Sequence, residues 1–281
     1  MGSPSALAEP ALTSHLLGRA VLQAAVRVLA PLGIPVMPLK GFWLQQFVYG
    51  EAGDRVITDV DVLVPEGTYT RARRALAAAG FRLCSANVSE AAYLAEGLPL
   101  PLDLHRRLFT RGAFRVSVAE LFARGSPDET TFGVPVTQPD PVDVLVHLIG
   151  HALKSGTAWI GRGHELRDIP LLLDSFELSP ALCAQRLEHT GLDRAARFVL
   201  PLTAADDPGS RARALLGCLR SDPTGAWLAE CATRLRAHMA DAERAPAWPG
   251  FALDSSVPRG AAAFLLRLWD KPLEHRRHER P

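Results

Sequence analysis

The run Val56 to Val64 (VITDVDVLV) limits the fold of this chain more than any other segment. Acidic and aliphatic residues alternate through it with the two-residue period of a strand. Residues two apart on a strand point the same way, so Asp59 and Asp61 are expected on one face of a sheet, a few ångströms apart. Two like charges so close repel each other, and burial would push at least one pKa up unless a cation lies beside them. A divalent metal resolves the conflict, because hard cations take carboxylate oxygens and paired aspartates hold them beside substrate phosphates. A surface strand with both aspartates in water satisfies the same pattern, so the D-x-D pair alone decides nothing.

Its neighbours add weight. Ile34 to Leu39 (IPVMPL) reads as a short strand, and FWLQQFVY as a two-turn helix with Phe42, Leu44, Phe47 and Val48 on one side. Lys40-Gly41 lies between them, where backbone N–H groups and the helix dipole favour anions and glycine lets a phosphate approach the chain. Arg55, four residues before Asp59, offers a planar fork suited to phosphate oxygens. Each of these cations alone reads as a solvated surface charge; beside the acidic strand they become informative.

The same reading places a helix over Ala11 to Leu29, a helix over Thr68 to Ala79 ended by Gly80, and the start of a strand at Phe81 to Cys84. Residues 85–97 fit no single pattern. LPLPLDLHRRLF alternates as another strand, with Asp103 and His105 on one parity, and Thr130 to Thr137 reads as a hairpin. After Pro139-Asp140-Pro141 helical patterns take over. Asp140 suits an N-cap, Pro141 the first helical position and Asp143 the first turn, so a helix is expected to about Ser155. Others follow over 165–175, from Ser179-Pro180 to His189, over 211–219, 225–240 and 260–270.

Composition narrows the partners. Lys and Arg number 31 against 30 Asp and Glu, a formal charge of +1, so the whole surface cannot serve as an electrostatic glove for nucleic acid. A local groove remains open, because from Glu51 to Glu66 five acidic residues stand against Arg55 alone. The four cysteines form no C-x-x-C pair and no dense disulfide framework, and MGSPSALAEP lacks a secretory pattern. No stretch suits a membrane span, and a reduced, cytoplasmic protein is expected.

Taken together, Leu39-Lys40-Gly41, a short helix ending in Tyr49-Gly50, and R-x-x-x-D-x-D-x-L-V from Arg55 to Val64 resemble the uncharacterised bacterial nucleotidyltransferase family of the DNA polymerase β-type superfamily. Leu102-Asp103-Leu104-His105 is similar to that family's D-L-H strand, and DVLVHLIGHALK and LRDIPLLLD to its helical segments, so the likeness spans residues 34–176. It implies an α/β (α+β) fold in which a mixed-sheet core with flanking helices precedes a helical C-terminal domain. The corresponding division is an N-terminal helix over 1–33 packed on the core, a catalytic core over 34–138, a helical domain over 139–270 completing the cleft, and a polar tail over 271–281.

For chemistry, the resemblance implies Mg²⁺ (or Mn²⁺) ions bound by Asp59, Asp61 and Asp103, and an NTP whose phosphates sit at Lys40-Gly41. Asp103 would help deprotonate the attacking hydroxyl, and in-line attack on the α-phosphorus would expel pyrophosphate. The wider superfamily usually has Gly-Ser or Gly-Gly where this chain has Lys40-Gly41, so a serine contact to phosphate is not expected. The acceptor is a small molecule, a protein side chain or an RNA end, and near-neutral charge favours the first two. A catalytically silent relative that binds nucleotide or a protein partner is the alternative.

Asp143, His147, His151 and Lys154 share one helical face. That stripe reads either as a solvated surface or as the roof of the cleft, with His151 and Lys154 near phosphates. His147 and His151 also have the spacing of a zinc pair, but no H-E-x-x-H motif accompanies them. Arg167 and Asp168 are expected to brace their helix against the sheet. His105 is expected to orient Asp103 or meet the acceptor. Trp43 and Trp159 suit core packing better than base stacking.

Overall fold

The computed structural model describes residues 8–49, 55–154, 164–203, 209–220, 223–224 and 226–227. The helix expected over 225–240 apart from residues 226–227, the helix expected over 260–270, the tail, Gly50 and Trp159 lie outside these residues. The chain divides into two compact units. One comprises the residues up to Leu108 and Ser117–Asp140; the other comprises Phe109–Val116 and the residues from Pro141 onward.

The first unit is a five-stranded mixed sheet with helices. Helix α1 (Ala8–Leu29) leads into strand β1 (Met37–Pro38), helix α2 (Lys40–Phe47) and strand β2 (Val60–Leu63). Helix α3 (Tyr69–Ala78) and strands β3 (Arg82–Ala86), β4 (Glu90–Leu94) and β5 (Leu102–His105) follow. The strand order is β1-β2-β5-β4-β3. The central pair, β2 and β5, runs parallel, and the remaining pairs in this sheet are antiparallel. Helix α4 (Val118–Arg124) and an antiparallel hairpin of β6 (Ser126–Asp128) and β7 (Val136–Gln138) complete the unit. Strand β2 is shorter than the alternating run suggested: pairing starts at Val60, and Asp59 lies just before it. Of the hairpin expected over Thr130 to Thr137, β7 covers the last two residues, and its partner β6 lies just before the expected segment.

Alternation sorts the sheet into two faces. Val60, Val62, Val64, Leu102, Leu104, Ala91 and Tyr93 enter a core with Val21, Leu22, Ala25 and Leu29 of α1 and Tyr69, Ala72 and Leu76 of α3. Burial of such side chains contributes roughly 1.5–3 kcal/mol each. The opposite parity carries Asp61, Asp103, His105 and Glu90. Helix α1 comes close at Gly18, where an added Cβ would lie 2.8 Å from Ile57 Cδ1 and from Phe42 Cδ2. Beside this crossing, buried Gln45 of α2 donates through Nε2 to the carbonyls of Ala11 (3.0 Å) and Arg55 (2.7 Å) and to Ser14 Oγ (3.1 Å). Ser14 Oγ in turn accepts from the Ile57 N–H at 3.3 Å. The segment entering β2 is thereby tied to both helices.

The second unit contains α5 (Pro141–Lys154), α6 (Glu165–Ser175), α7 (Pro180–Thr190), α8 (Asp193–Thr203) and α9 (Arg211–Cys218). Ser179 caps α7 by accepting from the Leu182 N–H, Pro180 occupies its first turn, and Gly191 closes it with φ +77°. Helix α8 was not expected from the sequence, where Pro201, which stands inside the helix, reads as a breaker. The 109–116 segment belongs here because Arg115 joins the end of α7. Its backbone N–H donates to the Thr190 carbonyl (2.8 Å), and its guanidinium donates to the carbonyls of His189 (2.8 Å) and Glu188 (2.7 Å).

Candidate metal and phosphate site

Register builds the site. Parallel pairing sets Asp61 directly opposite Asp103 and Leu63 opposite His105, while antiparallel pairing sets Glu90 of β4 opposite His105. Paired residues share a face, so the sheet gathers three carboxylates and an imidazole. On the other side of β2, the Leu39 N–H donates to the Asp61 carbonyl at 2.9 Å. The next residue, Lys40, opens α2, and its Nζ lies 3.1 Å from Asp61 Oδ2. No loop separates strand from helix at Lys40-Gly41; Leu39 is the N-cap and no side chain caps the helix.

Asp61 is the hub. It is 2 % exposed, its Oδ2 faces Lys40, and its Oδ1 lies 2.7 Å from His105 Nε2. His105 therefore bonds Asp61 across the sheet, where the sequence suggested its strand neighbour Asp103. His105 Nδ1 lies 3.3 Å from Glu90 Oε2. Glu90 is anchored in turn: its Oε1 accepts from Asn87 Nδ2 at 3.0 Å, and its N–H donates to Asn87 Oδ1 at 3.0 Å. Asp61, Asp103 and His105 each offer a ligand atom, all within 4.8 Å of one another. Among the described residues this is the one such group of three.

Asp59 borders the group without joining it. Burial raises its pKa and the charge of Asp61 raises it further, against the pull of Lys40, His105 and Arg55. Burial pushes Asp103 up to about 6, with Asp61 and Asp59 adding repulsion. Burial draws Lys40 down, but Asp61, Asp59 and Asp103 outweigh it, so its pKa lies above the ordinary lysine value. Crowded carboxylates with raised pKa values are what a cation would relieve, and two carboxylates with an imidazole are a reasonable donor set for a divalent metal.

Arg55 is buried, and a Cβ added to Gly41 would stand 3.6 Å from its Nη2. That is an ordinary contact distance, so Gly41 and the guanidinium are neighbours at the start of α2, and Lys40, Gly41 and Arg55 come together with the carboxylates. Trp43 does not face this group: it is buried, and its Nε1 donates to Gln138 Oε1 at 2.8 Å.

The remaining candidates belong to the second unit. Asp143 is buried against Arg186, with Oδ1 2.5 Å from Nη1. His147 is buried edge-on to Phe109 at 6.0 Å, and His151 is edge-on to His147 at 6.1 Å. The polar stripe is therefore largely a packed face: the surface reading does not fit Asp143 or His147. Asp168 is completely buried in α6 and Arg167 is exposed. The backbone of Lys154 closes α5, and its side chain lies outside what is described.

Sequence reasoning missed Glu90. The five residues EAAYL of β4 are short and alanine-rich, and only the alternation of Ala91 and Tyr93 into the core hints at a strand.

No curated protein matches the chain. A family model described as an uncharacterised nucleotidyltransferase matches residues 12–205, a span that takes in both sheet aspartates, Lys40, Arg55 and helices α5 to α8. With more than half its length matched, the chain belongs to this nucleotidyltransferase family.

Proposed function

We propose that the protein transfers a nucleoside monophosphate from an NTP to an acceptor hydroxyl, with a divalent metal and with release of pyrophosphate. The observation that carries this reading is the in-register pair Asp61 and Asp103 on adjoining parallel strands, with Lys40 at the adjacent helix start. Asp61 and Asp103 would hold the metal, with Asp59 beside them. When bound, the metal supplies positive charge against the triphosphate and acidifies a hydroxyl in contact with it.

The chain's own residues divide the other tasks. Lys40 and Arg55 bind phosphate oxygens, Lys40 as a point charge and Arg55 as a fork, and Gly41 lets the triphosphate come close to the start of α2. Asp103 takes the proton from the attacking hydroxyl oxygen. Asp59 offsets the positive charge that Lys40 and Arg55 bring. His151, Lys154, His147, Arg167 and Asp168 lie on the family-matched helices, and we assign them to a lesser role in substrate binding or support.

Small molecules and proteins are favoured over RNA as acceptors, because the net charge of +1 gives no general attraction to polyanions. No described helix is long and apolar enough to cross a membrane, and no disulfide joins the described cysteines Cys84, Cys183 and Cys218. The proposed setting is the bacterial cytoplasm, with ATP or another NTP and Mg²⁺ or Mn²⁺ as the reagents. Incubating the protein with each α-labelled NTP, metal and a cell extract tests the proposal. Label should enter one fraction with wild type and none with Asp61→Asn or Asp103→Asn; NTP binding without pyrophosphate release would mark the protein as a binder.

A further inference from the structure

We infer that the acceptor is a small hydroxylated molecule carrying an acid group, a carboxylate or a phosphate ester, and that it binds on the sheet face between Asp103 of β5 and Arg82 of β3. This assignment rests on the transferase reading above.

Register lays out this face. Asp103 pairs with Ala92 of β4, and Ala92 pairs with Ser85 of β3, so one rung runs from Asp61 through Asp103 and Ala92 to Ser85. Ala91 and Tyr93, on the other parity, enter the core. Leu94, two residues along β4 from Ala92, pairs with Arg82 and belongs to the same face as the rung. Arg82 and Ser85 are three residues apart, and on a regular strand they would point to opposite faces. The register shifts between Leu83 and Ser85, with Cys84 as the extra residue, and this bulge turns both side chains to the face of Asp103. Arg82 and Ser85 are exposed, and Ala92 and Leu94 are half-buried. Past Asp103 the sheet therefore continues as a shallow shelf, floored by Ala92 and Ser85 and bordered on one side by Leu94 and Arg82.

In-line transfer decides what occupies the shelf. With the triphosphate at Lys40, Gly41 and Arg55, on the β1 side of β2, the nucleophile must approach from the opposite side, where β5 and β4 lie. The acceptor oxygen bonds to the α-phosphorus as the bond to the bridging oxygen of pyrophosphate breaks, and the hydroxyl proton passes to Asp103. The rest of the acceptor lies over Ala92 and Ser85, whose short side chains leave room for it. Two strand spacings and one two-residue step separate the Cα atoms of Asp103 and Arg82 by about 12 Å, which the long arginine stem shortens to the span of one small molecule. On the other side of the rung Glu90 is engaged by His105 and Asn87, so an acid group is directed toward Arg82. No described residue pairs with the Arg82 guanidinium, and a carboxylate or phosphate is the counter-ion its planar fork fits. A peptide added to the edge of β3 would lie three strand spacings, about 14 Å, from Asp103, beyond the reach of a serine or threonine hydroxyl.

The test supplies the full chain with α-labelled NTP, metal and the low-molecular-weight filtrate of a bacterial extract, with the retained macromolecules assayed in parallel. Label should enter the filtrate, and the acceptor freed from its product by phosphodiesterase should bind an anion exchanger. Arg82→Ala should raise the half-saturating amount of filtrate about 10- to 100-fold, with the half-saturating NTP concentration moving far less, and Arg82→Lys should recover part of the loss. Ser85→Glu should raise the half-saturating amount of filtrate more than Ser85→Gln, which adds nearly the same bulk without charge. Melting temperatures close to wild type, expected at two exposed positions, assign these effects to binding. Label confined to macromolecules, a neutral or basic acceptor, unchanged half-saturation in Arg82→Ala, or equal effects of Glu and Gln at position 85 would overturn the assignment and leave the transferase reading standing. No pyrophosphate release by wild type with either fraction would sink both.

Discussion

Replacing Asp103 by Asn should stabilise the metal-free protein near pH 8. In the folded chain its pKa rises from 3.8 to about 6, through burial first and then the charges of Asp61 and Asp59. At about 1.4 kcal/mol for each tenfold change in proton affinity, ionising Asp103 costs the folded state at most about 3 kcal/mol. Its partial exposure and relaxation around the site reduce this to about 1–2 kcal/mol. Because the folded pKa is the higher one, the associated stability is fully present below pH 3.8 and is lost as pH rises through about 6. Asn carries no charge at any pH, so its advantage over wild type should be greatest at pH 8 and fade toward pH 4. Thermal unfolding in EDTA reads the effect, with 1 kcal/mol corresponding to roughly 2–4 °C in a protein of this size class. At pH 8 Asp103→Asn should melt a few degrees above wild type, and saturating Mn²⁺ should raise wild type more than the variant. A variant that melts below wild type at pH 8, or an advantage that grows on acidification, would refute the electrostatic reasoning.

Three further outcomes concern the scaffold. Gln45→Leu strands the carbonyls of Ala11 and Arg55 and loosens the approach to Asp59; unfolding in urea should show a loss of about 2–4 kcal/mol. Gly150→Ala would place a Cβ 2.4 Å from Phe109 Cε1 and Cζ, so the second unit should lose about 1–3 kcal/mol, seen as a lower melting temperature. Asp143→Ala removes one partner of a largely buried ion pair and leaves Arg186 uncompensated, which should cost about 3 kcal/mol, whereas Arg186→Leu with Asp143→Leu together should cost less.

Local pattern carried the aspartates into view, and non-local pairing decided what they do. The alternation around Asp59 and Asp61, and the parity of Asp103 and His105, follow from the two-residue period, which a sequence displays directly. Which strand lies beside which does not. His105 bonds Asp61 because β5 pairs parallel with β2 one residue for one residue, a fact set by the whole sheet. Glu90 was hidden for the same reason: a short alanine-rich strand acquires meaning only opposite His105. In the helical unit, capped helices such as α7 were legible from Ser179 and Pro180, and α8 was not, because Pro201 stands inside it and reads as a helix breaker. The stripe of Asp143, His147 and His151 shows the converse limit: helical spacing placed these residues on one face, but only the partners Arg186 and Phe109 reveal that much of that face is packed.

The central claim is that Asp61 and Asp103 make this sheet face a site for metal-dependent nucleotidyl transfer. It is tested most directly by following α-labelled NTP and pyrophosphate together in one reaction with metal and extract, comparing wild type with Asp61→Asn. Wild type should release one pyrophosphate for each label fixed to acceptor, and Asp61→Asn should do neither while melting cooperatively. Equal labelling by the variant, or tight NTP binding by wild type with no pyrophosphate under any metal, would contradict it.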